Sequence, residues 1–140
     1  MIYNRNTKHT ETEFSMKRKT IHLISQAHLD PVWLWNWNDG LSEALTTMQS
    51  ACDRSDENSD FKFTRSSAIT YKWVEEADPR LFGKISELVK AGRWEIAGGW
   101  IEQPDCNIPS TESFARHSLY GKRYFKSRFN ELVDIGYNVD

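Results

Sequence analysis

The hydrophobic and polar positions of this 140-residue chain predict short strands that alternate with amphipathic helices. The first apolar run, residues 19–27, is too short and too apolar for a surface helix, so it predicts a buried strand. Its apolar positions are Ile21, Leu23 and Ile24. Over residues 41–52 the apolar side chains recur every three or four positions, which predicts a helix that packs on a sheet by one face.

The same alternation continues through the middle of the chain. A strand pattern at residues 61–64 is followed by two helical patterns, at residues 69–77 and 81–89. Asp78 and Pro79 separate the two helices. Because Asp accepts hydrogen bonds from first-turn amides and Pro suits the first helical position, these two residues predict the start of the second helix.

The last third of the chain predicts two further strands around one helix. Residues 93–97 predict the third strand, Ser110 is a good N-cap for a helix that extends to Phe129, and residues 132–139 predict the fourth. This order favours an α/β fold with four parallel strands and right-handed crossovers. A barrel of such units typically needs about 200 residues or more, so the chain is expected to be an incomplete, N-terminal part of one.

Composition and charge narrow the class of protein. A net charge of -2 gives no sign of nucleic-acid binding, and 13% aromatic residues supply enough apolar surface to exclude disorder. Residues 1–18 are polar and predict a flexible leader before a domain at residues 19–140. No apolar run is long enough for a secretory signal or a membrane span, so we expect a cytoplasmic protein without a membrane partner; the oligomeric state is left open.

The residues suited to metal or ligand binding follow the predicted strands, and parallel α/β sheets bind their ligands at the carboxyl ends of strands. After the first strand, His28 and Asp30 are two positions apart, so in an extended chain both side chains point to the same side. This pair could bind Zn²⁺ or a similar divalent ion. The alternative is that both side chains only form hydrogen bonds with the local backbone at a turn.

Aromatic and polar residues at other strand ends suit a sugar. Trp33 and Trp100 offer flat rings on which a pyranose can pack, and Asp105 follows Trp100 closely with a carboxylate that can bind hydroxyl groups. The alternative is that the tryptophans are core anchors. Asp140, after the fourth strand, is by itself no more than a typical turn residue.

Together these motifs resemble the N-terminal part of bacterial alpha-mannosidases of glycoside hydrolase family 38. The resemblance covers about residues 19–140, in the same order and at similar intervals. The motifs that carry it are His28-Leu29-Asp30-Pro31-Val32-Trp33-Leu34-Trp35, Trp73-Val74-Glu75-Glu76, Gly92-Arg93-Trp94-Glu95-Ile96, Gly98-Gly99-Trp100, Gln103-Pro104-Asp105-Cys106-Asn107 and Tyr137-Asn138-Val139-Asp140.

The resemblance implies a (β/α)7 barrel and a set of site residues. His28, Asp30 and Asp140 would be zinc ligands, Asp140 would also be the nucleophile, and Trp33 would stack on the bound mannose. The family's general acid, an Asp, and its fourth zinc ligand, a His, would lie beyond residue 140. Trp100 and Asp105 are further candidates for substrate contacts.

We therefore expect a zinc-dependent retaining alpha-mannosidase that hydrolyses terminal alpha-mannosyl residues of oligosaccharides, and that is inactive as this chain alone. The alternatives are a hydrolase of a mannosyl conjugate such as mannosylglycerate, a metal-dependent polysaccharide deacetylase, and a non-catalytic carbohydrate-binding fragment. Release of acetate without reducing sugar would identify the deacetylase.

Overall fold

A computed structural model describes residues 19–138 of the protein, so the predicted leader and Asp140 lie outside the described residues. The described chain has three strands and four helices: β1 Ser25–Gln26, α1 Trp37–Glu57, β2 Phe63–Arg65, α2 Ala68–Ala77, α3 Pro79–Lys90, β3 Trp94–Ile96 and α4 Thr111–Phe129. The strands form one parallel sheet in the order β1-β2-β3. The predicted mixed α/β arrangement with parallel strands is confirmed.

Side-chain caps set where the helices begin. Asp78 accepts hydrogen bonds from two first-turn amides of α3, with Pro79 at the first position, as predicted. Ser110 caps α4, also as predicted. α1 begins earlier than its apolar pattern, because Asn36 and Asp39 form a capping box around its first turn. None of the described helices is long and apolar enough to cross a membrane.

The core lies between the sheet and the helices and is centred on Tyr71. This side chain is completely buried and meets the rings of Trp94, Phe125 and Phe129 edge to face. Trp94 Nε1 donates to the Tyr71 hydroxyl at 2.8 Å, and that hydroxyl donates to the carbonyl of Arg65 at 3.2 Å. Tyr71 therefore joins β3, α4 and the end of β2.

The first predicted strand is much shorter than expected. Ile21, Leu23 and Ile24 are 82%, 88% and 62% exposed, so the prediction of a buried strand is wrong over residues 19–24. β1 has one neighbouring strand, β2, and the pairing covers only Ser25 and Gln26. No described helix covers the apolar side chains that precede β1. They are exposed because this part of the chain offers no surface against which they could pack.

The fourth predicted strand is not formed within the described residues. Residues 131–138 contain no strand, although Val133 is buried. One backbone hydrogen bond, from Gly98 N–H to the Ile135 carbonyl at 3.0 Å, links this segment to the end of β3. A cavity of about 260 Å³ separates the rest of the segment from β3, so the continuous ladder that defines a strand is missing.

A close backbone approach at Gly121 gives a test of the packing of α4. A methyl group there would lie closer than 3.0 Å to backbone atoms of Gly99, Trp100 and Ile101. We expect Gly121→Ala to destabilise the protein by about 3 kcal/mol, because backbone cannot move aside as a side chain can. Urea unfolding measures the change. Gly83→Ala, in open space on α3, is the matched control and should stabilise by about 0.5 kcal/mol; equal effects would contradict this account.

Candidate active site

A cavity of about 260 Å³ lies at the carboxyl ends of the strands. It is lined by the residues that follow β1, by the loop after β3 and by the last part of the described chain: His28, Asp30, Trp33, Gln103, Pro104, Asp105 and Asn138. Four predicted site residues, His28, Asp30, Trp33 and Asp105, are thus brought to one cavity. The segment after β1 and the last described residues meet at this cavity, on the edge where the carboxyl ends of the parallel strands lie.

The geometry of the His28 and Asp30 side chains suits a metal ion. His28 Nε2 and Asp30 Oδ1 are 3.4 Å apart, and the two side chains are 31% and 41% exposed. Two ligand atoms about 2.0 Å from a tetrahedral Zn²⁺ lie about 3.3 Å from each other, so this pair fits one zinc ion. The described residues contain no group of three metal-binding side chains, and the third predicted ligand, Asp140, lies outside them.

The three clustered tryptophans differ in what they contact. Trp33 lines the cavity and is 68% exposed, so its ring is available to a ligand. Trp35 Nε1 donates to the Asp30 carbonyl at 3.1 Å and holds the turn that carries the carboxylate. Trp37 packs its ring against that of Trp73, with 6.3 Å between centroids. Only Trp33 is placed as a stacking surface requires.

The two other predicted substrate contacts differ from each other. Asp105 lies at the cavity, where its Oδ1 accepts the amides of Asn107 and Ile108 at 2.7 and 3.0 Å and so shapes its own loop. Trp100 is not part of the cavity lining. Its ring packs against Phe114 on α4, and its Nε1 is buried without a hydrogen-bond partner among the described residues. A substrate contact by Trp100 stays a prediction.

A buried polar network behind the cavity was not predicted. Ser67, in the left-handed region at φ 71°, donates to Glu102 Oε1 at 2.9 Å, and the backbone amide of Gln103 donates to the same oxygen at 2.8 Å. The Gln103 side-chain amide donates to Ser66 Oγ. The network ties the end of β2 to the cavity wall. Consecutive serines after a strand are too common to reveal it in the sequence.

Burial is the main cause that raises the pKa of Glu102, and the hydrogen bonds from Gln103 and Ser67 oppose it. An acid whose pKa is higher in the folded state stabilises that state at low pH and loses this contribution as pH rises through the folded pKa. We expect Glu102→Gln to gain stability relative to the natural protein as pH rises above about 4.5, the ordinary value. Urea unfolding across pH measures it. A stability difference between Glu102→Gln and the natural protein that does not change with pH would contradict the assignment.

Comparison with known proteins gives the same family for nearly the whole chain. Residues 18–140 match the N-terminal domain of glycosyl hydrolases family 38. Alpha-mannosidase G of Dictyostelium discoideum is 34% identical over 118 residues, which cover 84% of this chain and 11% of that protein. The alpha-mannosidase of Saccharomyces cerevisiae is 32% identical over 111 residues, or 78% of this chain and 10% of that protein.

Alpha-mannosidase 2C1 of Mus musculus is 31% identical over 114 residues, or 81% of this chain and 11% of that protein. These relatives are eukaryotic, so a narrower likeness to bacterial members stays a prediction. The chain spans about one tenth of the length of the curated relatives it matches. The matched segment includes the loops that line the cavity. Because residues 18–140 match its N-terminal domain, the chain belongs to glycosyl hydrolase family 38.

Proposed function

We propose that this chain is part of a zinc-dependent retaining alpha-mannosidase that removes terminal alpha-mannosyl residues from oligosaccharides. The observation that carries the proposal is the pairing of His28 Nε2 with Asp30 Oδ1 at 3.4 Å on the wall of the cavity that Trp33 lines. A metal pair beside an exposed indole suits a sugar whose hydroxyl groups need a cation and whose apolar face needs a flat ring.

In the proposed site, His28 and Asp30 hold the zinc, and Asp140 is a further ligand. Bound zinc would act as a Lewis acid and template for the hydroxyl groups of the mannose. The Trp33 ring would orient the sugar by stacking, and Asp105 would accept a hydrogen bond from a hydroxyl group. Both residues lie at the same cavity as the metal pair, which supports this division of roles.

The proposed chemistry uses two carboxyl groups. Asp140 would attack the anomeric carbon while a second carboxyl group protonates the leaving oxygen, which gives a glycosyl-enzyme that water then hydrolyses with net retention. Asn138, two positions before Asp140, lines the cavity, and its Nδ2 donates to the Pro104 carbonyl at 3.0 Å. This contact supports the assignment because it anchors the segment that leads to Asp140.

The proposed architecture is the first part of a (β/α)7 barrel. β1, β2 and β3 would be its first three strands, and residues 132–139 would be the fourth once the cavity beside β3 closes. In the closed barrel, the exposed apolar residues before β1 would have the last strand as their neighbour. On this proposal the chain alone is inactive, because the site would lack the general acid and a fourth ligand.

Zinc analysis and a substrate panel test the function. The full-length protein should contain zinc and hydrolyse 4-nitrophenyl alpha-mannoside, with 4-nitrophenyl beta-mannoside as the matched control that it leaves intact. Activity on mannosylglycerate but not on alpha-mannosyl oligosaccharides would identify a conjugate hydrolase instead. Release of acetate from an acetylated polysaccharide without reducing sugar would identify a deacetylase. Binding of mannose without turnover would leave only a carbohydrate-binding role.

A further inference from the structure

Arg65, the last residue of β2, is a charged side chain placed inside the core. It is only 4% exposed, and burial is the main cause that lowers the pKa of its guanidinium. Its Nε is buried and has no hydrogen-bond partner among the described residues. Because burying a charge with incomplete hydrogen bonding costs free energy, stability alone does not account for an arginine at this position.

The one side-chain hydrogen bond that Arg65 makes within the described chain reaches the site. Its Nη1 donates to the carbonyl of Ala27 at 3.0 Å. The backbone pairing of β1 with β2 ends with Gln26 opposite Thr64, so this bond fastens the next residue of the first segment after the ladder has stopped. Ala27 directly precedes His28. The guanidinium therefore fixes the backbone from which the imidazole projects.

The other side of Arg65 is held rigidly. Its own carbonyl accepts the amide of Ala97, which follows β3, at 3.2 Å and the hydroxyl of the buried Tyr71 at 3.2 Å. These two bonds fix the backbone of Arg65 relative to the residue after β3 and to α2, so the guanidinium that it carries links the core to the end of β1. A planar guanidinium with fixed donors suits this better than a flexible ammonium group.

We propose that Arg65 is a positioning residue for the metal site, which sets the place of His28 relative to Asp30 by holding the Ala27 carbonyl. This inference rests on the proposed zinc function of that pair. Partners that orient metal ligands change metal affinity or activity by about 10- to 100-fold when they are removed. A purely structural arginine would change stability only.

The chain offers a matched control at the opposite end of the sheet. Arg93, directly before β3, donates from Nη2 to the carbonyls of Ser55 and Asn58 at 2.5 and 2.6 Å. Its Nε is likewise buried without a partner among residues 19–138. Arg93 thus resembles Arg65 in its bonding to backbone carbonyls but lies away from the cavity.

The test compares Arg65→Met, Arg65→Lys and Arg93→Met in the full-length protein. Zinc affinity is measured by competition with a chromogenic chelator, alongside thermal stability, kcat and KM for 4-nitrophenyl alpha-mannoside. We expect Arg65→Met to weaken zinc binding by about tenfold or more and to lower kcat, with partial recovery in Arg65→Lys. Arg93→Met should lower the melting temperature and leave zinc affinity unchanged.

Natural zinc affinity in Arg65→Met, with a loss of stability like that of Arg93→Met, would overturn the inference and leave the proposed function standing. If the natural protein binds no zinc, the proposed function fails, and the inference fails with it. If Arg65→Met does not fold, Arg65→Lys decides by the same measurement, because it keeps the charge and loses the planar donors: natural affinity there overturns the inference.

Discussion

Replacing either His28 or Asp30 by alanine in the full-length protein is expected to remove bound zinc and to lower mannosidase activity by about a thousandfold. The two ligand atoms are 3.4 Å apart, so each side chain supplies one corner of the proposed site, and either loss leaves too few ligands for tight binding. Loss of the cation removes several kcal/mol of charge stabilisation in the transition state. Elemental analysis of purified protein and hydrolysis of 4-nitrophenyl alpha-mannoside measure the two effects.

A nearby histidine provides the control for this prediction. His22 is exposed in the segment before β1 and does not line the cavity, so His22→Ala should keep both zinc and activity. One zinc ion per chain in both His28→Ala and Asp30→Ala would show that the metal binds elsewhere. Loss of zinc with full activity would instead show that the reaction does not require the metal.

Asp140→Asn is expected to lower turnover by about four orders of magnitude in the full-length protein, because an amide cannot attack the anomeric carbon as a carboxylate does. A 5-fluoro mannosyl inactivator should label Asp140 in the natural protein, since slow deglycosylation traps the covalent intermediate of a retaining enzyme. Peptide mass spectrometry locates the label. Zinc content has to be measured in the same variant, because Asp140 is also a proposed ligand.

Trp33→Ala provides a contrast that separates binding from chemistry. Loss of an exposed stacking surface should raise KM by about tenfold and affect covalent labelling far less than Asp140→Asn does. A label on Asp105, which also lies at the cavity, would move the nucleophile to that residue. Inversion of the anomeric configuration, followed by proton NMR of the first product, would exclude a glycosyl-enzyme altogether.

Local patterns predicted the helices well and the outer strands poorly. Asp78 and Pro79 determine the start of α3 through contacts within one turn, which sequence spacing reveals directly. The extent of β1 depends on whether distant elements cover Ile21 and Leu23, and the apolar run itself carries no information on that point. A strand forms only where a neighbouring strand provides backbone hydrogen-bond partners, as β2 does for β3.

The candidate site likewise has features that the sequence predicted and features that it could not predict. The spacing of His28 and Asp30 predicted two side chains on one side of the chain, and their atoms are within 3.4 Å. The buried network of Glu102 and Ser67 could not be predicted, because it joins residues from different strand ends and rests on one left-handed serine. In the sequence, Trp100 and Trp33 are both tryptophans that follow a predicted strand. In the structure, the ring of Trp100 packs against Phe114 on α4, and that of Trp33 lines the cavity.

The hydrogen bond from the Tyr137 hydroxyl to Gln26 Oε1 joins residues that are 111 positions apart in the chain. During synthesis at about 5–20 residues per second, the segment with His28 and Asp30 therefore leaves the ribosome several seconds before the opposite wall of its cavity exists. Over that interval His28 and Asp30 are in solvent, and the exposed Ile21, Leu23 and Ile24 are open to other chains. On the proposed zinc function, the metal site would therefore be completed only after the later segment has been made.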